Sequence, residues 1–183
     1  MPLFSKKNLN NEHKAGNRHT VMLVDDEQNI LSELGSFLED DYRIVKATNG
    51  LEALELLRRM DDGRLPSLII CDQRMPEMTG IEFFEKVVEE NLAPDTLRIL
   101  LTGQVDFPVL LDAINKVFLY KFIYKPFEAE EFIKSVQDAV GVFEERKKRR
   151  ERERELEKMV EELREENREL RARLADLTGG EEA

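Results

Sequence analysis

With 183 residues, the chain has room for one sizeable core and an additional element. Hydrophobic residues make up 41% and charged residues 37%, the latter well above the roughly 25% of an ordinary domain. A net charge of −11 with a pI near 4.9 argues against a whole-molecule nucleic-acid binder, and no apolar run approaches the ~20 residues of a membrane span.

Residues 1–19 are polar and lack the apolar core of a signal peptide, so they read as a loosely ordered arm and the chain as cytoplasmic. From Thr20 the pattern is regular. Val21 to Val24 is a short apolar run ending on Asp25 and Asp26. Glu27 to Asp40 carries Ile30, Leu31, Leu34, Phe37 and Leu38 at helical spacing. Tyr42 to Thr48 reads as a strand, and Gly50 to Met60 as a helix with Leu51, Ala53, Leu54, Leu56 and Leu57 along it. Leu68 to Asp72 is the next strand, with the single cysteine, Cys71, inside it as a small hydrophobe of a reducing compartment. Thr79 and Gly80 open a helix through Ile81, Phe83, Phe84, Val87 and Val88. Leu97 to Leu101 is a strand before Thr102 and Gly103; Asp106 to Lys116 is a helix; Leu119 to Tyr124 is a last strand, closed by Lys125 and Pro126. A final helix opens at Glu128.

Strand and helix alternate five times, and the strands are short and apolar on both faces. That pattern implies an α/β fold, a doubly wound five-stranded parallel sheet covered by helices on each side. Ligands in such folds bind beyond the C-terminal ends of the strands. The first strand delivers Asp25 and Asp26 there, the third Asp72, the fourth Thr102 and the fifth Lys125. Converging carboxylates repel unless a cation sits among them, and hard oxygen donors with few protein contacts suit Mg²⁺. A lysine and a hydroxyl add donors for phosphoryl oxygens, which leaves one carboxylate free to act as nucleophile. The plainer alternatives are a structural cation site or carboxylates that merely meet water at strand ends.

The set LVDDE, IICDQRMPEMTG, LLTGQ and YKPF resembles the receiver domain (CheY-like) of two-component response regulators, over residues 20–141. The resemblance implies a flavodoxin-like arrangement of the sheet and Asp72 as phospho-acceptor from a sensor histidine kinase or phosphotransfer protein. It also implies Mg²⁺ held by Asp25, Asp26, Asp72 and the backbone carbonyl of Arg74. Thr102 and Lys125 would receive the phosphoryl oxygens, with Lys125–Pro126 cis, Pro76 and Gly80 shaping the loop after the acceptor, and Thr102 with Phe122 as the switch. Arg74 and Gln104 are the positions that tune dephosphorylation in the family. Such a domain catalyses its own phosphorylation and dephosphorylation and is not otherwise an enzyme. Gln73-Arg74 with Thr102-Gly103-Gln104, and the stretch DAINKVFLYKFIYKPF, resemble most the receivers that sit ahead of phosphodiesterase or other signalling domains, a pattern from which this sequence departs in showing no such domain.

Beyond Val142, Leu156, Leu163, Leu170 and Leu177 recur every seven residues, with Val160, Asn167 and Leu174 between them. Leucines at d and these residues at a make a dimer seam, and a β-branched Val with one Asn at a favours a parallel homodimer. Across such a pair Glu145 meets Arg150, Arg152 meets Glu157 and Glu166 meets Arg171, all attractive. Residues 142–178 are therefore expected to form a helical extension and parallel coiled coil, and 179–183 a tail. Continued backwards, the seam falls on Arg146, Arg149 and Glu153, a polar junction that would couple receiver to coil. RKKRRERER superficially resembles the basic region of a DNA-binding zipper, but glutamates interrupt it and no asparagine punctuates it, so nucleic-acid binding is disfavoured. The resulting reading is a response regulator that signals to an unidentified downstream protein through the coil. The alternative is a receiver and linker from a larger signalling enzyme with a phosphodiesterase, cyclase or phosphatase output.

Overall fold

The computed structural model describes residues 19–103 and 116–178. The arm to residue 18, most of the helix expected at 106–116, Gln104 and the tail lie outside them. The chain divides into two compact units, Met1–Phe143 and Glu144–Ala183.

Within the first unit five strands form one parallel sheet: β1 (Thr20–Val24), β2 (Arg43–Ala47), β3 (Leu68–Asp72), β4 (Leu97–Thr102) and β5 (Lys121–Tyr124). Their order is β2-β1-β3-β4-β5, so the chain reverses direction across the sheet after β2. Helices α1 (Gln28–Leu38), α2 (Gly50–Arg59) and α3 (Gly80–Glu89) fill the crossovers, with a short 3₁₀ turn at Asp62–Arg64. A last helix, α4, runs Ala129–Thr178. The doubly wound α/β fold is the one expected from the alternation.

Period-two alternation sorts the strand side chains onto two faces. Met22, Val24, Ile69, Cys71 and Leu100 pack with Leu54, Leu57, Phe83, Phe84 and Val87 of α2 and α3. Val21, Leu23, Leu68, Ile70, Ile99 and Leu101 pack with Leu31, Leu34 and Leu38 of α1 and with Phe132, Val136 and Ala139 of α4. Each large apolar side chain removed from water here contributes roughly 1.5–3 kcal/mol. The central strands β1, β3 and β4 are buried throughout. The edge strands are not: Arg43 and Lys46 of β2, and Lys121 and Tyr124 of β5, are exposed. Burial on both faces therefore holds for the three interior strands only, and in β4 it includes the charged Arg98. The last strand is also shorter than its apolar run, because Phe118 turns at φ 52° and Leu119 and Tyr120 precede the ladder.

Local chemistry starts the helices where the site needs them. Asn49 caps α2 by accepting from the Glu52 amide at 2.8 Å. Thr79 and Glu82 form a reciprocal capping box on α3. The hydrogen bonds from the Thr79 amide and hydroxyl hold the Glu82 carboxyl below the usual carboxylate range.

Candidate active site

β3 and β4 end on Asp72 and Thr102 at one edge of the sheet, and Asp25 and Lys125 directly follow β1 and β5 there. Asp25 and Asp72 are buried, 2% and 7% exposed, and Thr102 is buried with them. Three buried polar groups at the end of an apolar sheet are stable only if each is hydrogen-bonded or paired. The Lys125 ammonium lies 2.6 Å from Asp72 Oδ1 and 3.1 Å from Asp25 Oδ2. The Glu27 amide donates to Asp25 Oδ1 at 2.9 Å, and the Arg74 amide donates to Asp72 Oδ2 in a short bond. Every oxygen of both carboxylates thus has a donor.

Lys125 is itself positioned by the backbone: its amide donates to the Thr102 carbonyl at 2.8 Å. Burial works against its ammonium and is the largest single influence. The hydrogen bond to Asp72 and the charges of Asp25 and Asp72 together outweigh it, raising the pKa above the ordinary 10.5. The Lys125–Pro126 peptide is cis, as the resemblance implied.

Asp72 opens into a depression of about 280 Å³ lined also by Asp26, Glu27, Gln73, Arg74, Gly103 and Lys125. Asp26 and the Arg74 side chain are exposed at its rim. Among the described residues, no three His, Cys, Asp or Glu side chains gather into a metal cage by themselves. The donor set is instead two buried carboxylates and the rim carboxylate of Asp26, with Arg74 bordering the same depression. That set fits a hard cation that keeps several waters and shares them with phosphate.

Of the residues expected in the site, Asp25, Asp72 and Lys125 are in direct contact. Asp26 and Arg74 border the depression, and Thr102 holds Lys125 through its backbone. Phe122 is half-buried against the α2–α3 core cluster and meets Tyr124 edge-on at 5.3 Å between ring centroids. Two contributors went unnoticed in the sequence: Glu27, which acts through its amide, and Gln73, which acts through amide, carbonyl and side chain. Only Gln73 carried a visible signal, its place next to Asp72.

Gly80 has a steric reason to be glycine. A Cβ there would stand 2.4 Å from the Asp72 carbonyl oxygen and 2.7 Å from Leu100 Cδ1. Without a side chain, α3 starts directly against the strand that carries Asp72. Among the described residues, no helix is long and apolar enough to cross a membrane.

Comparison with known proteins agrees with this geometry. The family model for the response regulator receiver domain matches residues 21–137. The hydrogenase transcriptional regulatory protein HoxA of Cupriavidus necator is 35% identical over 121 residues, covering 66% of this chain and 24% of HoxA. The C4-dicarboxylate transport transcriptional regulatory protein DctD of Rhizobium meliloti is 32% identical over 136 residues, 72% of this chain and 28% of DctD. The match thus spans about a quarter of those regulators' length. Among solved structures, the signal receiver domain of an HD domain-containing protein from Pseudomonas fluorescens Pf-5 superposes with a TM-score of 0.65 at 27% identity. It covers 76% of this chain and 98% of that one.

Proposed function

The chain belongs to the response regulator receiver family, and we propose that Asp72 accepts a phosphoryl group from the phosphohistidine of a sensor kinase or phosphotransfer protein. The observation that carries this reading is Asp72 itself, a buried carboxylate at a strand end, hydrogen-bonded to the Arg74 amide and paired with Lys125.

In the proposed reaction an Asp72 carboxylate oxygen attacks phosphorus, the P–N bond to the donor histidine breaks, and the imidazole leaves with the electron pair. Asp72 becomes an acyl phosphate. Water later attacks phosphorus, returning the carboxylate and releasing inorganic phosphate. Lys125 and Thr102 offer a proton-donating ammonium and hydroxyl to the phosphoryl oxygens. Mg²⁺ held by Asp25, Asp26, Asp72 and the Arg74 carbonyl would supply further positive charge there. In this proposal the chain's chemistry is its own phosphorylation and dephosphorylation.

The output is a parallel homodimeric coiled coil in this proposal. Leu156, Val160, Leu163, Leu170 and Leu174 are each 45–60% exposed on one chain, a stripe that a second copy would cover. The three attractive pairs across a parallel seam favour that copy and orientation, each contributing only a few tenths of a kcal/mol. The side chain of Leu177 lies outside the described residues. A downstream protein would read the coil, with the polar stretch around Arg146, Arg149 and Glu153 as the part that responds.

Incubation with acetyl phosphate and Mg²⁺ should give a hydroxylamine-labile phosphoryl adduct in wild type and none in Asp72→Ala. An adduct of equal yield in Asp72→Ala would overturn the assignment. Light-scattering mass with and without beryllofluoride then separates a constitutive dimer from one that forms on activation; a monomer in both conditions overturns the coil.

A further inference from the structure

The loop after Asp72 leaves and returns through one residue, Gln73. Its amide donates to the Leu101 carbonyl at 2.9 Å, tying it to β4. Its carbonyl accepts from the Gly80 amide at 3.1 Å, and its side-chain Oε1 accepts from the Ile81 amide at 3.2 Å. Glu82, the next residue of α3, donates to Thr79 Oγ at 3.3 Å. The first-turn amides of a helix have no partner within the helix. Of the three in α3, two are satisfied by Gln73.

Between those two anchors lies the stretch 74–79, which has little regular structure. Glu77 sits at φ 68°, in the left-handed region, and the Met78 amide turns back onto the Pro76 carbonyl at 2.7 Å. This stretch carries the Arg74 amide that grips Asp72 Oδ2. At its far end the stretch is tied to α3 by the Thr79 amide and hydroxyl, which donate to Glu82 at 2.8 Å each, and Met75 and Met78 pack into the core cluster of Phe83 and Phe84; Gln73 is the tie at its near end, next to Arg74. Gln73 also lines the depression in front of Asp72.

We infer that the Gln73 side chain is a positioning residue for the acceptor. By holding the start of α3 against β3, it fixes where the Arg74 amide and carbonyl stand relative to the Asp72 carboxylate. The inference rests on the phospho-acceptor reading above. It differs from the capping box in what it controls: the box stabilises α3, whereas Gln73 couples α3 to the loop beside the carboxylate.

Gln73→Met keeps the length of the side chain and removes its acceptor; Thr79→Ala weakens the same helix start without touching the loop neck. In metal-free protein, Gln73→Met should shift the Arg74 amide resonance and speed hydrogen exchange at Ile81. Mg²⁺ binding, followed by titration, should weaken roughly fivefold, the ratio that one lost hydrogen bond corresponds to. Thr79→Ala should lower the unfolding midpoint while leaving the Arg74 resonance and the Mg²⁺ affinity where they are in wild type. If Gln73→Met does not fold, Gln73→Asn, whose carbonyl is withdrawn by one methylene, makes the same comparison. An unchanged Arg74 resonance and Mg²⁺ affinity in the Gln73 variant would overturn the inference. So would equal changes in Thr79→Ala, because Gln73 would then be one more stabiliser of α3. Wild type that neither binds Mg²⁺ nor takes a phosphoryl group overturns the acceptor reading and the inference with it. Wild type that does both, with an inert Gln73 variant, overturns the inference alone.

Discussion

Replacing Lys125 by methionine removes the positive charge from the site while keeping most of its bulk. The ammonium stands 2.6 Å from Asp72 and 3.1 Å from Asp25, and its side chain is 25% exposed. At an effective dielectric of about 20, a contact near 3 Å is worth roughly 5 kcal/mol in Coulomb energy before desolvation is charged against it. Breaking a buried ion pair typically costs about 3–5 kcal/mol, because a charge is left without a partner. Water reaching the lysine position will soften this, which gives an expected loss of about 2–3 kcal/mol in metal-free protein. A divalent cation replaces the missing charge. Mg²⁺ should therefore stabilise Lys125→Met more than wild type, bind it more tightly, and narrow the gap to below about 1 kcal/mol. Urea unfolding with and without Mg²⁺ measures both numbers. A metal-free gap below about 0.5 kcal/mol, or a gap that Mg²⁺ leaves unchanged, would refute the electrostatic account.

Three further outcomes follow from the same geometry. The folded-state pKa of Lys125 is raised, so its contribution to stability is fully present below the ordinary 10.5 and is lost as pH climbs through the folded value. Wild type should lose stability more steeply than Lys125→Met above that pH in alkaline urea titrations; parallel curves would contradict it. Burial, followed by the charges of Asp72 and Asp25, pushes the Cys71 thiol well above its ordinary 9.0. Ellman's reagent at mildly alkaline pH should label the thiol only as fast as the protein opens, and rapid stoichiometric labelling of folded protein would sink the assignment. Gly80→Ala forces a Cβ against the Asp72 carbonyl and should cost about 1–3 kcal/mol with a loss of Mg²⁺ affinity; an alanine variant as stable as wild type would show that the loop can yield.

The fold was legible because both of its periodicities survive in the sequence. Val21, Leu23 against Met22, Val24 is the sheet's alternation, and Leu31, Leu34, Leu38 is a helix face. The charged contributors were legible for a related reason: Asp25, Asp72 and Lys125 each interrupt or close an apolar run, where burial makes a charge conspicuous. What stayed hidden acts through the backbone or across sequence distance. The Glu27 amide on Asp25 leaves no side-chain signature, since any non-proline residue has an amide. The Gln73 side chain reaches Ile81, eight residues away, and only the folded turn brings them together. Edge exposure of β2 and β5 was equally hidden. Sheet order depends on crossovers, and Arg43 and Lys46 could have been read as either edge residues or exceptions.

The helical extension presents the reverse situation, with more in its periodicity than a single copy can display. One chain leaves Leu156, Val160, Leu163, Leu170 and Leu174 in water, and an isolated helix draws little stability from propensity alone. The seven-residue spacing states what would cover them, because it keeps the same stripe facing a partner over successive turns. The heptad stripe also changes character along its length. It is charged at Arg146, Arg149 and Glu153 and apolar from Leu156, except at Asn167, whose amide donates back to the Leu163 carbonyl at 3.2 Å in the single helix. A uniform apolar seam would hold two helices together equally everywhere. In the proposed dimer, a seam polar near Phe143 and apolar farther on would place its holding energy away from the receiver. The stretch beside the receiver would then be free to change spacing at little cost.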